Sequence, residues 1–145
     1  NSEIARSLLE AGADPNKKEQ EWGVTALMHA GFQGNLEVIK VLLDYKADPN
    51  ISNRDGWTAL TFAAFAGHPK TAQLLVKRGT DPYLETSDGW TAYELAVLAE
   101  RALTTKALED AGVKPSAKDD SNRKFTANQD MLKLFDNRVE WEDAD

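Results

Sequence analysis

The apolar residues of this chain fall in short runs at helical spacing. Val38, Ile39, Leu42 and Leu43 make one stripe, Lys40 and Asp44 are left for water, and the pattern predicts an amphipathic helix. Near the other end, Met131, Leu134, Phe135 and Val139 stand at i, i+3, i+4 and i+8. They predict a further helix over about residues 127–138, which Trp141 extends. Glycines punctuate the stripes: Gly34 and Gly67 part paired helices, and Gly12, Gly79 and Gly112 close the second member of each pair. Pro69 suits a first helical turn, where a missing N–H costs nothing.

The stripes recur. Gly23-Val24-Thr25-Ala26-Leu27 returns as Gly56-Trp57-Thr58-Ala59-Leu60 and as Gly89-Trp90-Thr91-Ala92-Tyr93, with the threonines 33 residues apart each time. Asp14-Pro15-Asn16, Asp48-Pro49-Asn50 and Asp81-Pro82-Tyr83 recur at offsets of 34 and 33, so the one extra residue lies within Lys17 to Trp22. Each unit reads as two short helices, the first starting near Thr25, Thr58 or Thr91 and the second near Leu36, Pro69 or Ala102. Hairpin-like loops run from Lys17, Ile51 and Leu84 to the next glycine. No such unit can bury its apolar face alone, so the core must run sideways through a stack, an all-α solenoid.

Composition narrows the function. A chain of 145 residues, 41% hydrophobic and 28% charged, matches a folded domain. It has no run of about 18 apolar residues and no basic segment leading into an apolar signal core. The absence of cysteine removes disulfides and thiolate metal sites. A net charge of −7 disfavours phosphate-rich partners, since nucleic-acid binding needs clustered Lys and Arg. Lys17-Lys18 and Lys77-Arg78 read as solvated faces, and the overall field favours a neutral or cationic partner.

Over residues 1 to about 115 the chain resembles the ankyrin-repeat family. The resemblance rests on Thr58-Ala59-Leu60-Thr61-Phe62-Ala63-Ala64 with Gly67-His68, and on Val41-Leu42-Leu43 and Leu74-Leu75. It implies an ankyrin-repeat solenoid of helix-turn-helix units with hairpin-like loops, plus an extra C-terminal helix. Residues 1–16 then correspond to the second helix of a truncated repeat, 17–49 and 50–82 to full repeats, 83–115 to a capping repeat, and 116–145 to a polar linker, an amphipathic helix and an acidic tail. Without a preceding helix, Ile4, Leu8 and Leu9 are expected to expose apolar surface, and at least half a repeat is expected upstream. The pattern departs from the family in three places. Alanine stands for the signature proline at Ala26, Ala59 and Ala92, and Met28, Thr61 and Glu94 stand for the signature histidine, so these helix starts are expected to be less rigid. Glu100 replaces the last turn glycine, and Thr104 and Thr105 sit where Val38 and Ile39 lie, the polarity of a cap.

The resemblance also implies a concave groove lined by loop tips and first helices. By position its lining would include Val24, Trp57 and Trp90, together with Phe32, Phe65 and Leu98. Trp57 and Trp90 are expected to anchor a partner, because a large rigid ring buries area at little entropy cost. Asp55, Asp88, Glu85 and Glu94 add negative charge nearby, which suits a peptide or protein face carrying Arg or Lys and apolar residues. The function expected is therefore a protein-interaction module, a scaffold or adaptor, inside the cell. Two alternatives stay open: an aromatic-cage reader of modified lysine, and a structural or regulatory spacer attached to an enzyme. The tryptophans could instead stack along the loops and stabilise neighbouring repeats. The C-terminal helix could cap the last repeat or act as a tethered ligand for the groove. No enzyme, cofactor or metal is expected, because His29 and His68 show no metal-ligand spacing. No P-loop or nucleophile elbow occurs either. His29 is expected to fill a core position, and His68 to make structural hydrogen bonds in its Gly-His turn.

Overall fold

In a computed structural model the described residues are 2–115, 125 and 128–135. They form α1 (Ser2–Glu10), α2 (Ala26–Gln33), α3 (Leu36–Asp44), α4 (Ala59–Ala66), α5 (Pro69–Lys77), α6 (Ala92–Leu98), α7 (Ala102–Asp110) and α8 (Gln129–Leu132). A 3-10 turn, Lys133–Phe135, continues α8. No strand occurs among the described residues. Helices α2, α4 and α6 stack side by side as an inner layer. In the outer layer α1 packs on α3 and α5 on α7, and each inner helix pairs with the outer helix that follows it.

The three threonines cap the inner helices. The Thr25, Thr58 and Thr91 side chains each accept a bond from the backbone N–H three residues on, which satisfies a donor the helix itself cannot pair. The expectation of looser helix starts meets replacement bonds in two repeats: Thr61 Oγ1 accepts from Thr58 N (2.7 Å), and Glu94 Oε1 accepts from Thr91 N (3.1 Å). These are reciprocal capping boxes, and only α2, with Met28 at that position, lacks one.

Side chains also bond from repeat to repeat along the stack. Asn16 Oδ1 accepts from Asp48 N (2.7 Å), and Asn50 Oδ1 accepts from Asp81 N (2.8 Å). One repeat later Tyr83 Oη takes the same place for Lys114 N (3.1 Å). The His68 Nε2 lies 2.7 Å from Phe32 O, the structural bond expected of its turn, and Arg101 Nε donates to Phe65 O (3.2 Å) at the equivalent place. Inner helices approach closely because Gly31 has no side chain; a Cβ there would lie 2.7 Å from Ala59 O.

The loops show where the extra residue went. Glu19 N, Asn53 N and Thr86 N donate to Val24 O, Trp57 O and Trp90 O. The first of these bonds joins residues at an offset of five and the others at an offset of four, which puts the insertion inside the expected window. Glu19 holds its loop by accepting from the backbone N–H groups of Glu21, Trp22 and Val24. Burial opposes its ionisation, but the backbone donors outweigh burial and keep the carboxyl below its ordinary range.

At the N-terminal end Ile4 and Leu8 are 61% and 58% exposed, whereas Leu9 packs on the core. A cavity of about 470 Å³ lies against Ile4, Leu8, Val24, His29 and Val38. His29 is half-buried beside it, so it does not fill the core as its counterparts Phe62 and Leu95 do. That position is core where another inner helix precedes it in the stack, as α2 precedes α4 and α4 precedes α6.

Candidate protein-interaction groove

The candidate groove positions lie at the loop-to-helix junctions. Asn53 Oδ1 accepts from Asp55 N (3.0 Å) and Trp57 N (2.9 Å), and Thr86 Oγ1 accepts from Trp90 N (3.1 Å). These bonds fix each tryptophan immediately before its capping threonine. Successive loops are tied together by Arg54 N donating to Trp22 O and Ser87 N to Asp55 O, both at 2.9 Å.

The two tryptophans expected to anchor a partner are covered. Trp57 and Trp90 are only 5% and 4% exposed. Part of that cover comes from the chain's own C-terminal residues, which lie along the face in two aromatic clusters. The Phe125 ring sits among Trp57, Phe65 and Trp90, at centroid distances of 6.4, 5.4 and 5.8 Å. The Phe135 ring sits among His29, Phe32 and Phe62 at 5.1, 4.6 and 4.9 Å, stacked on Phe32 with an interplanar angle of 26°. Trp57 links the clusters by packing on Phe62 (4.9 Å) and edge-on to Phe65 (5.5 Å). Ring pairs in such tilted and offset arrangements add about 0.5–1.5 kcal/mol each beyond the area they bury.

Between the clusters the contacts are polar. Asn53 Nδ2 donates to Met131 Sδ (2.9 Å), and Asn128 Nδ2 donates to Asp55 Oδ2 (3.4 Å). Asn128 also caps α8, accepting from Met131 N at 3.2 Å. Met131 and Phe135 are buried. The C-terminal helix foreseen over 127–138 is therefore one α-turn plus a 3-10 turn in its described part. Its remainder lies outside the described residues, as do the polar linker at 116–124, Val139, Trp141 and the acidic finish.

Of the other candidate positions, Val24 is buried and faces the N-terminal cavity, while Leu98 is exposed on α6. Glu94 is buried and serves the α6 capping box, a role that the spacing Thr91-x-x-Glu94 could have disclosed. Glu85 and Asp88 are exposed on the loop ahead of Trp90. Sequence reasoning missed Asn53 on the repeats and Asn128 on the C-terminal segment, the two side-chain donors of the contacts between them. Among the described residues no cluster of three His, Cys, Asp or Glu side chains could hold a metal ion. No described helix is long and apolar enough to cross a membrane.

A family model described as ankyrin repeats, three copies, matches residues 1–86. The chain belongs to the ankyrin-repeat family. Among its ankyrin-repeat relatives, ankyrin repeat and SAM domain-containing protein 6 of Rattus norvegicus is 39% identical over 54 residues, 37% of this chain and 6% of that protein. E3 ubiquitin-protein ligase KEG of Arabidopsis thaliana is 41% identical over 51 residues, 35% of this chain and 3% of its own length. Notch-regulated ankyrin repeat-containing protein B of Danio rerio is 49% identical over 35 residues, 24% of this chain and 32% of its own. The matched stretches thus cover less than a third of each of these relatives. Ankyrin repeats act in general as protein–protein interaction modules.

Proposed function

We propose that this ankyrin-repeat chain is an interaction module whose concave face receives a segment of another protein through the two aromatic clusters. One observation carries the reading: that face already accommodates a stretch of polypeptide, with Phe125 and Phe135 seated among Trp57, Phe65 and Trp90 and among His29, Phe32 and Phe62. Large rigid rings surrounding an inserted side chain are the arrangement in which binding energy concentrates. The ring taken up between the tryptophans is a phenyl group, which favours an apolar anchor over the ammonium head of a modified lysine. Asp55, Glu85 and Asp88 near the groove, on a chain of net charge −7, favour basic residues flanking that anchor. Val24, Leu98 and Glu94 have no part in this reading.

Phe32 and Phe65 are the groove positions to test, because both are only half-buried and can be cut back with little damage to the core. Affinity capture with Phe32→Ala and Phe65→Ala chains, compared with the intact chain, is expected to lose the bound proteins while the helical circular dichroism stays the same. An unchanged set of captured proteins would refute the groove reading.

A further inference from the structure

Resting on that interaction reading, we infer the form of the partner: a short segment that ends in a helical turn, with two aromatic side chains ten residues apart, an amide and a linear apolar side chain between them. It binds by displacing Phe125 and residues 128–135 of the chain itself. The spacing is that of the segment now in the groove, where Phe125, Asn128, Met131 and Phe135 each meet the repeats. The polar pair fixes register. Asn53 offers a donor to the thioether and Asp55 an acceptor to the amide, so a segment slid by one residue would lose both bonds.

The outward side of the segment carries no such demand. Gln129, Asp130 and Lys133 are exposed, and Lys133 pairs with Asp130 (3.4 Å) within the segment itself. A partner can therefore differ from the segment at these positions and keep the same inward pattern.

Displacement follows from size. A four-residue α-turn has no stability of its own, since helices shorter than about 12 residues are marginal even in favourable sequences. The segment is held by the groove, and its advantage is the tether. An attached ligand is present at an effective concentration of about millimolar, so a partner at micromolar concentration must bind the vacated groove about a thousandfold more tightly to replace it. Removing the two aromatic anchors from the segment removes that competition.

The test uses the full chain. A fluorescently labelled synthetic peptide with the sequence of residues 124–136 is titrated onto the unaltered chain and onto a Phe125→Ser, Phe135→Ser chain. The vacated chain is expected to bind at least tenfold more tightly, and a peptide with both phenylalanines replaced by serine is expected to lose that binding. A Phe125→Ser chain, which leaves Phe135 against α2 and α4, should fall between the two and covers the case in which the double variant fails to fold. Equal affinity for all three chains, or no binding to a folded vacated chain, overturns the inference. So does an unaltered chain that is a dimer and dissociates when the anchors are removed, since the occupant would then be a second copy. Protein capture that depends on Phe32 and Phe65, yet is no stronger with the vacated chain, overturns displacement and leaves the interaction reading standing.

Discussion

The repeat around α4 and the repeat around α6 share a backbone plan and fill it differently. In the first, the inner helix caps with Thr58 and Thr61, ends at Gly67 and is braced by His68; in the second the same places hold Thr91, Glu94, Glu100 and Arg101. The bonds are made in both. What the difference teaches is that the stack requires a donor or acceptor at a place rather than a particular residue. Departures from the family pattern therefore cost little where the substitute reaches the same atom. Where the substitute changes the backbone they cost more: Glu100 holds a φ of +58°, a left-handed conformation that Gly67, at +83°, adopts without a Cβ penalty.

The core offers the largest contrast. Phe62 and Leu95 occupy equivalent places and both are fully buried, but Phe62 also meets the rings of Phe32, Trp57 and Phe135. Phe62→Ala is expected to cost about 3–5 kcal/mol, and Leu95→Ala a value in the lower half of about 2–5 kcal/mol, by urea denaturation at constant slope. Equal losses would mean that the groove rings add nothing to the core.

The turns give a contrast of sign. Gly67→Ala is expected to destabilise by about 1–2 kcal/mol, since its Cβ would also approach the Arg101 side chain at 2.6 Å. Glu100→Gly is expected to stabilise by about 1 kcal/mol or less, because the added freedom of the unfolded chain offsets part of the relief. Thermal melts of the two variants read the difference directly; a destabilised Glu100→Gly chain would break the comparison.

The loops give the smallest contrast, one of pH. The same loop closure is made by Glu19, Asn53 and Thr86, and only the first titrates. Its folded carboxyl lies below the unfolded value of about 4.3, so its contribution is complete above that value and is lost as pH falls through the folded one. Glu19→Gln should flatten stability against pH below about 4.3. A curve unchanged by that substitution would show that the first loop does not depend on the charge.

Much of the fold was legible because the repeat writes each structural role more than once. The helix starts near the three threonines and the inserted residue followed from offsets, and the Gly-His turn from the family resemblance. Lys46, with a φ of +72° where the other units have Gly12, Gly79 and Gly112, and Tyr83 in place of an asparagine escaped notice, since nothing local marks them. The contacts at the candidate site were legible only on the repeat side. Position along the repeat picked out Trp57, Trp90, Phe32 and Phe65, but an apolar stripe over Met131 and Phe135 says only that a face must be buried and not against what. Glu94 was misplaced for the opposite reason, its charge read as surface although the cap explains it.

The proposed function turns on the cover that Phe125, Met131 and Phe135 give to the repeats. Nuclear Overhauser contacts on the 145-residue chain test it most directly. Cross-peaks between the Phe135 and Phe32 rings, and between the Met131 methyl and the Asn53 side-chain amide, are expected. Met131 and Phe135 resonances at random-coil positions with no contact to the repeats would contradict it.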